Sequence, residues 1–288
     1  MNDKSNRKGH KVRKLDLKAI LEDIIAVSKK AGKEILKIYS SDNFDVQIKG
    51  DDSPLTRADL AAHNIIVDFL EEKYPNLPCL SEESTGIDFE DRKNWNRCFI
   101  IDPLDGTKEF IARNGEFTVN IALQENGKSI LGVIHVPVAD ITYSAAKELG
   151  SFKQSKEQSP QSISVRSLQQ KAGKNHFTVV ASRRHGLDKV ETLCQNFASY
   201  DLTSRGSSLK MCMVAEGSAD LYPRLALTSE WDTAAAQAIV EQAGGKIVQL
   251  DYSDMTYNQK ECLLNPFFLV LGDPNFDWEK ELVIPELD

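Results

Sequence analysis

Ile100-Ile101-Asp102-Pro103-Leu104-Asp105-Gly106-Thr107-Lys108-Glu109-Phe110 is an apolar run that stops abruptly at two carboxylates three residues apart. Phe99, Ile100 and Ile101 favour a strand, Pro103 cannot donate to a ladder, and Gly106 admits a sharp turn. The segment therefore reads as a strand that ends at Pro103 and carries Asp102 and Asp105 at its tip. Two like charges held together repel unless they share a cation, and oxygen ligands suit magnesium, calcium or manganese better than zinc. The same letters also arise as an Asp-Pro turn followed by an Asx-Gly turn, so this stretch alone leaves both readings open.

Acidic segments on either side change the balance. Ser81-Glu82-Glu83-Ser84 closes the short apolar run 77–80, and Glu230-Trp231-Asp232 heads a small-residue helix expected over 233–243, with Gly244-Gly245 as its stop. Adjacent glutamates are most often a solvated charge pair. Three carboxylate-bearing segments at the ends of apolar elements are a more specific signal, and they point to a shared metal site.

D-P-L-D-G-T at 102–107, S-E-E-S at 81–84 and W-D-T-A-A-A-Q-A-I-V-E-Q-A-G-G at 231–245 resemble the three metal motifs of the lithium-sensitive, magnesium-dependent phosphatases typified by inositol monophosphatase. Within that superfamily, Thr107-Lys108-Glu109-Phe110, Asn114-Gly115-Glu116-Phe117-Thr118-Val119-Asn120 and Gly206-Ser207-Ser208-Leu209-Lys210 resemble the CysQ branch, the 3′(2′),5′-bisphosphate nucleotidases. The likeness runs from about Leu17 to the last strand. It implies a layered α-β-α-β-α sandwich of the inositol monophosphatase and fructose-1,6-bisphosphatase type. It also implies one magnesium on Glu82, Asp102 and the carbonyl of Leu104, and a second on Asp102, Asp105 and Asp232, with Asp102 bridging.

A third, weaker magnesium beside Asp59 and Thr107 is compatible with the same resemblance. Asp59, Glu82 and Thr107 take the catalytic roles, with Asp59 paired to Thr107 near the attacking water. The resemblance assigns substrate contacts to Glu82, Leu104, Asp105, Gly106, Thr107, Ser208, Lys210, Arg224 and Asp232, the N–H groups of Gly106 and Thr107 holding the phosphate. The same resemblance implies that Ser208, Lys210 and Arg224 surround the non-scissile part of a nucleotide bisphosphate. The implied reaction is hydrolysis of the 3′-phosphate of adenosine 3′,5′-bisphosphate to AMP and phosphate by direct attack of water. A second substrate is 3′-phosphoadenylyl sulfate, and the setting is sulfur assimilation and nucleotide recycling.

Two rivals stay open on the residues. An inositol monophosphatase or other sugar phosphatase shares the metal motifs, and a non-catalytic regulatory or binding protein could keep the fold. Residue by residue, ordinary structural roles compete as well. Asp59 also suits the third position of a helix capped by Thr56, and Gly206-Ser207-Ser208 also reads as a Ser N-cap, although a helix start with Ser hydroxyls and Lys210 suits a phosphate. No P-loop and no Ser-His-Asp order by position is discernible, so the carboxylates carry the chemistry.

The rest of the chain supplies a scaffold of two parts. Apolar positions from Leu17 to Ile38 recur at helical spacing, and Phe44, Val46 and Ile48 alternate into the turn-rich loop 49–54. Strands are expected over 117–123, 130–136 and 141–146, the first two joined by a hairpin at Glu125-Asn126-Gly127-Lys128. The charged stretch 88–96 reads as a surface loop. Antiparallel strands after helices give an α+β metal-binding domain over 15–157. Alternating strand (177–181), helices (187–198 and 209–215), strand (221–222), helix and strands (246–250 and 267–271) give an α/β substrate domain over 158–288. The polar stretch 154–162 is the expected boundary or a long hairpin tip.

Composition bounds the function class. With 288 residues, 41% hydrophobic, 27% charged and a net charge of −8, the chain suits a soluble enzyme better than a general nucleic-acid binder. Five cysteines without CxxC spacing suit a reducing cytoplasm. Residues 1–14, with six Lys or Arg against one Asp, read as a disordered basic arm. A weak peripheral contact of the arm with the cytoplasmic face of the inner membrane stays open, as does the choice between monomer and homodimer.

Overall fold

The computed structural model describes residues 15–41, 44–48, 54–169, 175–181 and 187–286; the basic arm and the loop 49–53 lie outside them. In chain order the first part comprises α1 (Leu17–Tyr39), β1 (Gln47–Ile48), β2 (Pro54–Leu55), α2 (Arg57–Lys73), β3 (Cys79–Ser81), α3 (Phe89–Arg92), β4 (Arg97–Asp105) and α4 (Thr107–Ile111). There follow β5 (Thr118–Glu125), β6 (Lys128–Val136), β7 (Ile141–Ala146), β8 (Gly150–Ser155) and β9 (Gln161–Ser162). The second part comprises β10 (Phe177–Val180), α5 (Leu187–Leu193), β11 (Tyr200–Thr203), α6 (Leu209–Ala215), β12 (Leu221–Arg224), α7 (Glu230–Gln242), β13 (Lys246–Gln249), β14 (Phe268–Leu271) and α8 (Trp278–Glu281).

The layers follow from which faces are apolar. In α1, Ile20, Ile24, Val27, Ala31, Ile35 and Ile38 form one buried stripe, packed with α2 on one face of the seven-stranded sheet β3 to β9. On the opposite face lies α7, whose Ala234, Ala235, Ala236 and Ala238 are all buried. Small residues let this helix approach very closely. A Cβ on Gly132 of β6 would sit 2.1 Å from the Ala235 carbonyl oxygen, so only glycine fits there.

Beyond α6 and α7 lies the five-stranded sheet, ordered β11-β10-β12-β14-β13. Its strands alternate: Tyr222, Phe268 and Val270 face α7, while Leu221, Leu269 and Leu271 join Phe177, Leu193, Phe197 and Trp278 on the outer side with α5 and α8. The result is the expected α-β-α-β-α sandwich.

Several expectations are corrected. Pro103 does not end β4. The strand runs on to Asp105 with a register slip, Asp102 opposing Asn120 and Asp105 opposing Thr118, so three steps on β4 match two on β5. This bulge is one of the few places a sheet tolerates proline. The stretch 88–96 contains α3, and its Arg92 is buried. The helix expected over 187–198 stops at Leu193, and Phe197 beyond it stacks on Phe177 with centroids 4.1 Å apart. The division at 157/158 falls inside the β8–β9 hairpin, whose second strand stays in the first sheet. The Glu125–Lys128 hairpin forms as expected, with Asn126 and Gly127 both at positive φ.

Candidate active site

The bulge decides how the two carboxylates meet. Side chains three residues apart on a regular strand point to opposite faces. One extra residue between Asp102 and Asp105 restores an even count, and both carboxylates come to the same side. Asp232, in the first turn of α7, completes the group: one ligand atom from each of the three lies within 4.8 Å of the others. Glu82 is outside this tight group but lines the same recess. Its backbone N–H donates to the Ile101 carbonyl (3.0 Å), which continues the β3–β4 pairing up to the cluster.

Each carboxylate of the cluster has an anchored oxygen. Asp102 Oδ1 accepts the Leu104 N–H (3.0 Å). Asp232 Oδ2 accepts the Ser229 N–H (2.8 Å) at the start of α7. Asp105 Oδ2 accepts from Ser207 Oγ (2.5 Å), Ser208 N (2.7 Å), Ser208 Oγ (2.6 Å) and, more weakly, Asn120 Nδ2 (3.3 Å). Among the described residues the second oxygen of each makes no hydrogen bond, which leaves it for a ligand. These anchors also fix the carboxylate planes, as outer partners of metal ligands do.

Electrostatics shows what the cluster needs. Burial and then the charges of Glu82, Asp105, Asp232 and Asp59 hold the Asp102 carboxyl well above its usual range. Burial and then Asp105 push Asp232 up to about 7, against the opposing Ser229 hydrogen bond. Anions that resist ionisation side by side are stabilised by a divalent cation, and an all-oxygen donor set fits magnesium or a similar hard ion.

Beside the cluster, Asp59 sits at the third position of α2 and closes a capping box with Thr56. Its Oδ2 accepts the Thr56 N–H (2.8 Å) and hydroxyl (2.5 Å), while its Oδ1 accepts the Thr107 hydroxyl (3.1 Å). The structural and functional readings of Asp59 therefore coexist. Burial raises its pKa above the ordinary carboxylate value, with the Thr56 hydrogen bonds opposing. Thr107 begins α4 directly after Gly106, which holds φ +92°, a conformation that favours glycine. Leu104 is buried, and its carbonyl lies 3.4 Å from Thr107 Oγ.

The recess holding Glu82, Thr107 and Asp232 has a cavity volume of about 360 Å³. It shares Asp105, Lys108 and Asp232 with a second pocket of about 260 Å³ lined by Arg205, Ser208, Lys210 and Arg224. Lys210 is buried there, its ammonium donating to the carbonyls of Ser207 (2.8 Å) and Arg205 (3.2 Å); burial lowers its pKa. Arg224 donates to the carbonyls of Ala226 (3.1 Å) and Leu227 (3.0 Å). Of the candidate residues, Glu82, Asp105, Gly106, Thr107, Ser208, Lys210, Arg224 and Asp232 line the two adjoining spaces, while Asp59 and Leu104 reach them through Thr107 and Asp102 through the carboxylate group; the Ser208 hydroxyl and N–H are turned to Asp105.

Residues that sequence reasoning missed are those that hold others. Asn120 and Thr118 lie two apart on β5, and Asn120 Nδ2 donates to Ser208 Oγ (2.8 Å) while Thr118 Oγ shares a hydrogen bond with Ser207 Oγ (2.6 Å). The available signal was two polar residues at the end of an otherwise apolar strand. Arg92 donates to Asn258 Oδ1 (2.9 Å) and the carbonyls of Lys260 (3.1 Å) and Glu261 (2.5 Å), clamping the segment that pairs with the entry to α7. No sequence pattern marks it.

Residues 16–280 match the model of the inositol monophosphatase family, and the chain belongs to that family. Fold and site together define a phosphatase of a metal-dependent class. Among its relatives, the chain is 43% identical over 258 residues to 3′(2′),5′-bisphosphate nucleotidase CysQ of Escherichia coli strain K12, covering 87% of this chain and 99% of that one. It is 36% identical over 262 residues to the protein of the same name from Haemophilus influenzae, covering 90% and 95%. The crystal structure of CysQ from Bacteroides thetaiotaomicron superposes with a TM-score of 0.78 at 41% identity, over 90% of this chain and 98% of that chain. No helix among the described residues is long and apolar enough to cross a membrane.

Proposed function

We propose that this chain is a magnesium-dependent 3′(2′),5′-bisphosphate nucleotidase that converts adenosine 3′,5′-bisphosphate to AMP and phosphate, serving sulfur assimilation and nucleotide recycling. The observation that carries this reading is the adjoining of an acidic recess and a pocket that brings in further basic side chains. Asp102, Asp105 and Asp232 form a carboxylate group suited to cations, and the adjoining pocket adds Arg205, Lys210 and Arg224, which the recess lacks, beside the acids Asp105, Glu109, Glu116 and Asp232, so that a second anionic group has basic partners there. An inositol monophosphate has no second phosphate to place there.

Asp102, Asp105 and Asp232, joined by Glu82 and the Leu104 carbonyl, are the residues that would hold two magnesium ions, with Asp59 and Thr107 beside a third, weaker one. When bound, magnesium supplies positive charge to the phosphoryl oxygens and makes the attacking water more acidic. Thr107 and Asp59 then relay the proton: the water's proton passes to Thr107 Oγ as the Thr107 proton passes to Asp59 Oδ1. A carboxylate whose pKa is raised by burial is suited to keep that proton. The new bond joins the water oxygen to phosphorus as the bond from phosphorus to the ribose 3′-oxygen breaks, and that oxygen takes a proton from solvent water, which Asp59 later replaces by giving up its own. 3′-Phosphoadenylyl sulfate is the second substrate of this reading, and its hydrolysis would give adenylyl sulfate. All five cysteines are free thiols, which supports a reducing compartment such as the cytoplasm.

The test is phosphate release from adenosine 3′,5′-bisphosphate beside inositol 1-phosphate, each with magnesium, with chelator and with lithium. Preference for the nucleotide, abolished by chelator and suppressed by lithium, is the expected result. Preference for the inositol ester would keep the metal chemistry and overturn the nucleotide assignment. No turnover of either would favour a binding protein.

A further inference from the structure

Three cations of the second pocket are already engaged by the protein. Lys210 and Arg224 donate to backbone carbonyls, and Arg205 lies 3.8 Å from Glu116, whose other oxygen accepts the Gly206 N–H (2.8 Å). Lys108 differs in two respects. Its side chain is exposed and makes no hydrogen bond or ion pair among the described residues. It is also the lone Lys or Arg, among the described residues, that lines both the metal-side recess and the second pocket.

Its place is set by the turn at the metal motif. Gly106 reverses the chain after Asp105, Thr107 points its hydroxyl to Asp59, and the next residue, in the first turn of α4, is Lys108. In the recess the other ionisable residues are Glu82, Asp105, Glu109 and Asp232, all acidic. An unengaged ammonium on a flexible stem, between an acidic recess and a pocket whose other basic groups are engaged and faced by Asp105, Glu109, Glu116 and Asp232, has one favourable use: to meet a ligand anion that spans the two.

We propose that Lys108 is a specificity-determining residue that bridges the two anionic groups of the substrate, and so selects esters carrying a second phosphate or sulfate about a ribose width from the phosphate being cleaved. This rests on the nucleotidase reading and extends it to a residue outside the metal cluster and outside the Ser208, Lys210 and Arg224 set. In the absence of substrate the ammonium is solvated, which costs the fold nothing; on binding it exchanges water for charged oxygens on both sides.

The experiment compares Lys108→Gln and Lys108→Arg with the unaltered protein on adenosine 3′,5′-bisphosphate and on adenosine 3′-phosphate, at saturating magnesium. Loss of a charge-assisted contact predicts a fall in kcat/KM on the order of 30-fold for the bisphosphate with the Gln variant, and less than about 3-fold for the monophosphate. The Arg variant should recover most of the loss, and the thermal midpoint should not move. Equal losses on both esters, or no loss on either, would overturn the role of Lys108. Failure of the unaltered protein to prefer the bisphosphate would instead overturn the nucleotidase reading, so the two failures are distinguishable.

Discussion

Ser208 begins α6 without capping it: its hydroxyl and its N–H both donate to Oδ2 of Asp105, at 2.6 and 2.7 Å. The hydrogen-bonding capacity that a helix start would offer an anion is turned here to an internal carboxylate. Ser208→Ala should therefore act on the metal site. The magnesium concentration for half-maximal activity is expected to rise about 10-fold, the usual scale for an outer partner of a ligand, with α6 intact by circular dichroism. An unchanged magnesium requirement would show that Asp105 needs no such support.

Asp105→Asn removes the charge and keeps the shape. Turnover should fall by about a thousandfold or more, since the variant loses a carboxylate that the cluster needs to hold its cations. The fold should survive, because the amide oxygen can still accept from Ser207 and Ser208. Steady-state rates together with thermal unfolding separate the two effects, and near-normal activity would remove Asp105 from the metal assignment.

Lys210→Ala should raise KM for a bisphosphate more than for a monophosphate. Two of its three ammonium donors are occupied by the Ser207 and Arg205 carbonyls, which leaves one directed contact for the ligand. Equal effects on both substrates would mean that the second phosphate binds elsewhere.

The acidic cluster makes the metal-free protein sensitive to pH. Burial and neighbouring charge raise Asp232 to about 7 and Asp102 well above its usual range, so the folded state holds protons that the unfolded chain has released. Stability then falls as pH rises. The penalty is absent below about pH 4, where both states are protonated, and for Asp232 is complete above about pH 7. In chelator the thermal midpoint should be higher at pH 5.5 than at pH 8. Magnesium should restore the loss at pH 8 and have less effect at pH 5.5, where protons compete for the same oxygens.

Arg92 lies outside every motif yet is 2% exposed, and it holds Asn258 and two carbonyls of the segment beside α7. Arg92→Met should cost on the order of 3 kcal/mol in denaturant unfolding, because it leaves buried acceptors unpaired and removes positive charge near Glu230. A loss below about 1 kcal/mol would show that water replaces the guanidinium without penalty.

Much of the secondary structure and the acidic character of the site are legible in the sequence. Helical spacing marked the buried stripe of α1, alternation and turn residues marked β5 to β7 and their first hairpin, and three acidic segments announced a site for a hard cation. Motifs of this kind are local, so they survive in one dimension.

The tertiary structure alone decided how those pieces meet. A strand ending at Pro103 was the natural reading, because proline's missing N–H disfavours a ladder. Only pairing with β5 shows the strand passing through Pro103 as a bulge and turning both aspartates to one side. Ser208 read as a helix start until Asp105, 103 residues away in the chain, claimed its hydroxyl and N–H. The charged stretch 88–96 reads as a surface loop, yet Arg92 within it is buried against Asn258, 166 residues on. These are long-range contacts between residues of ordinary local propensity, and their energy exists only once the layers have packed.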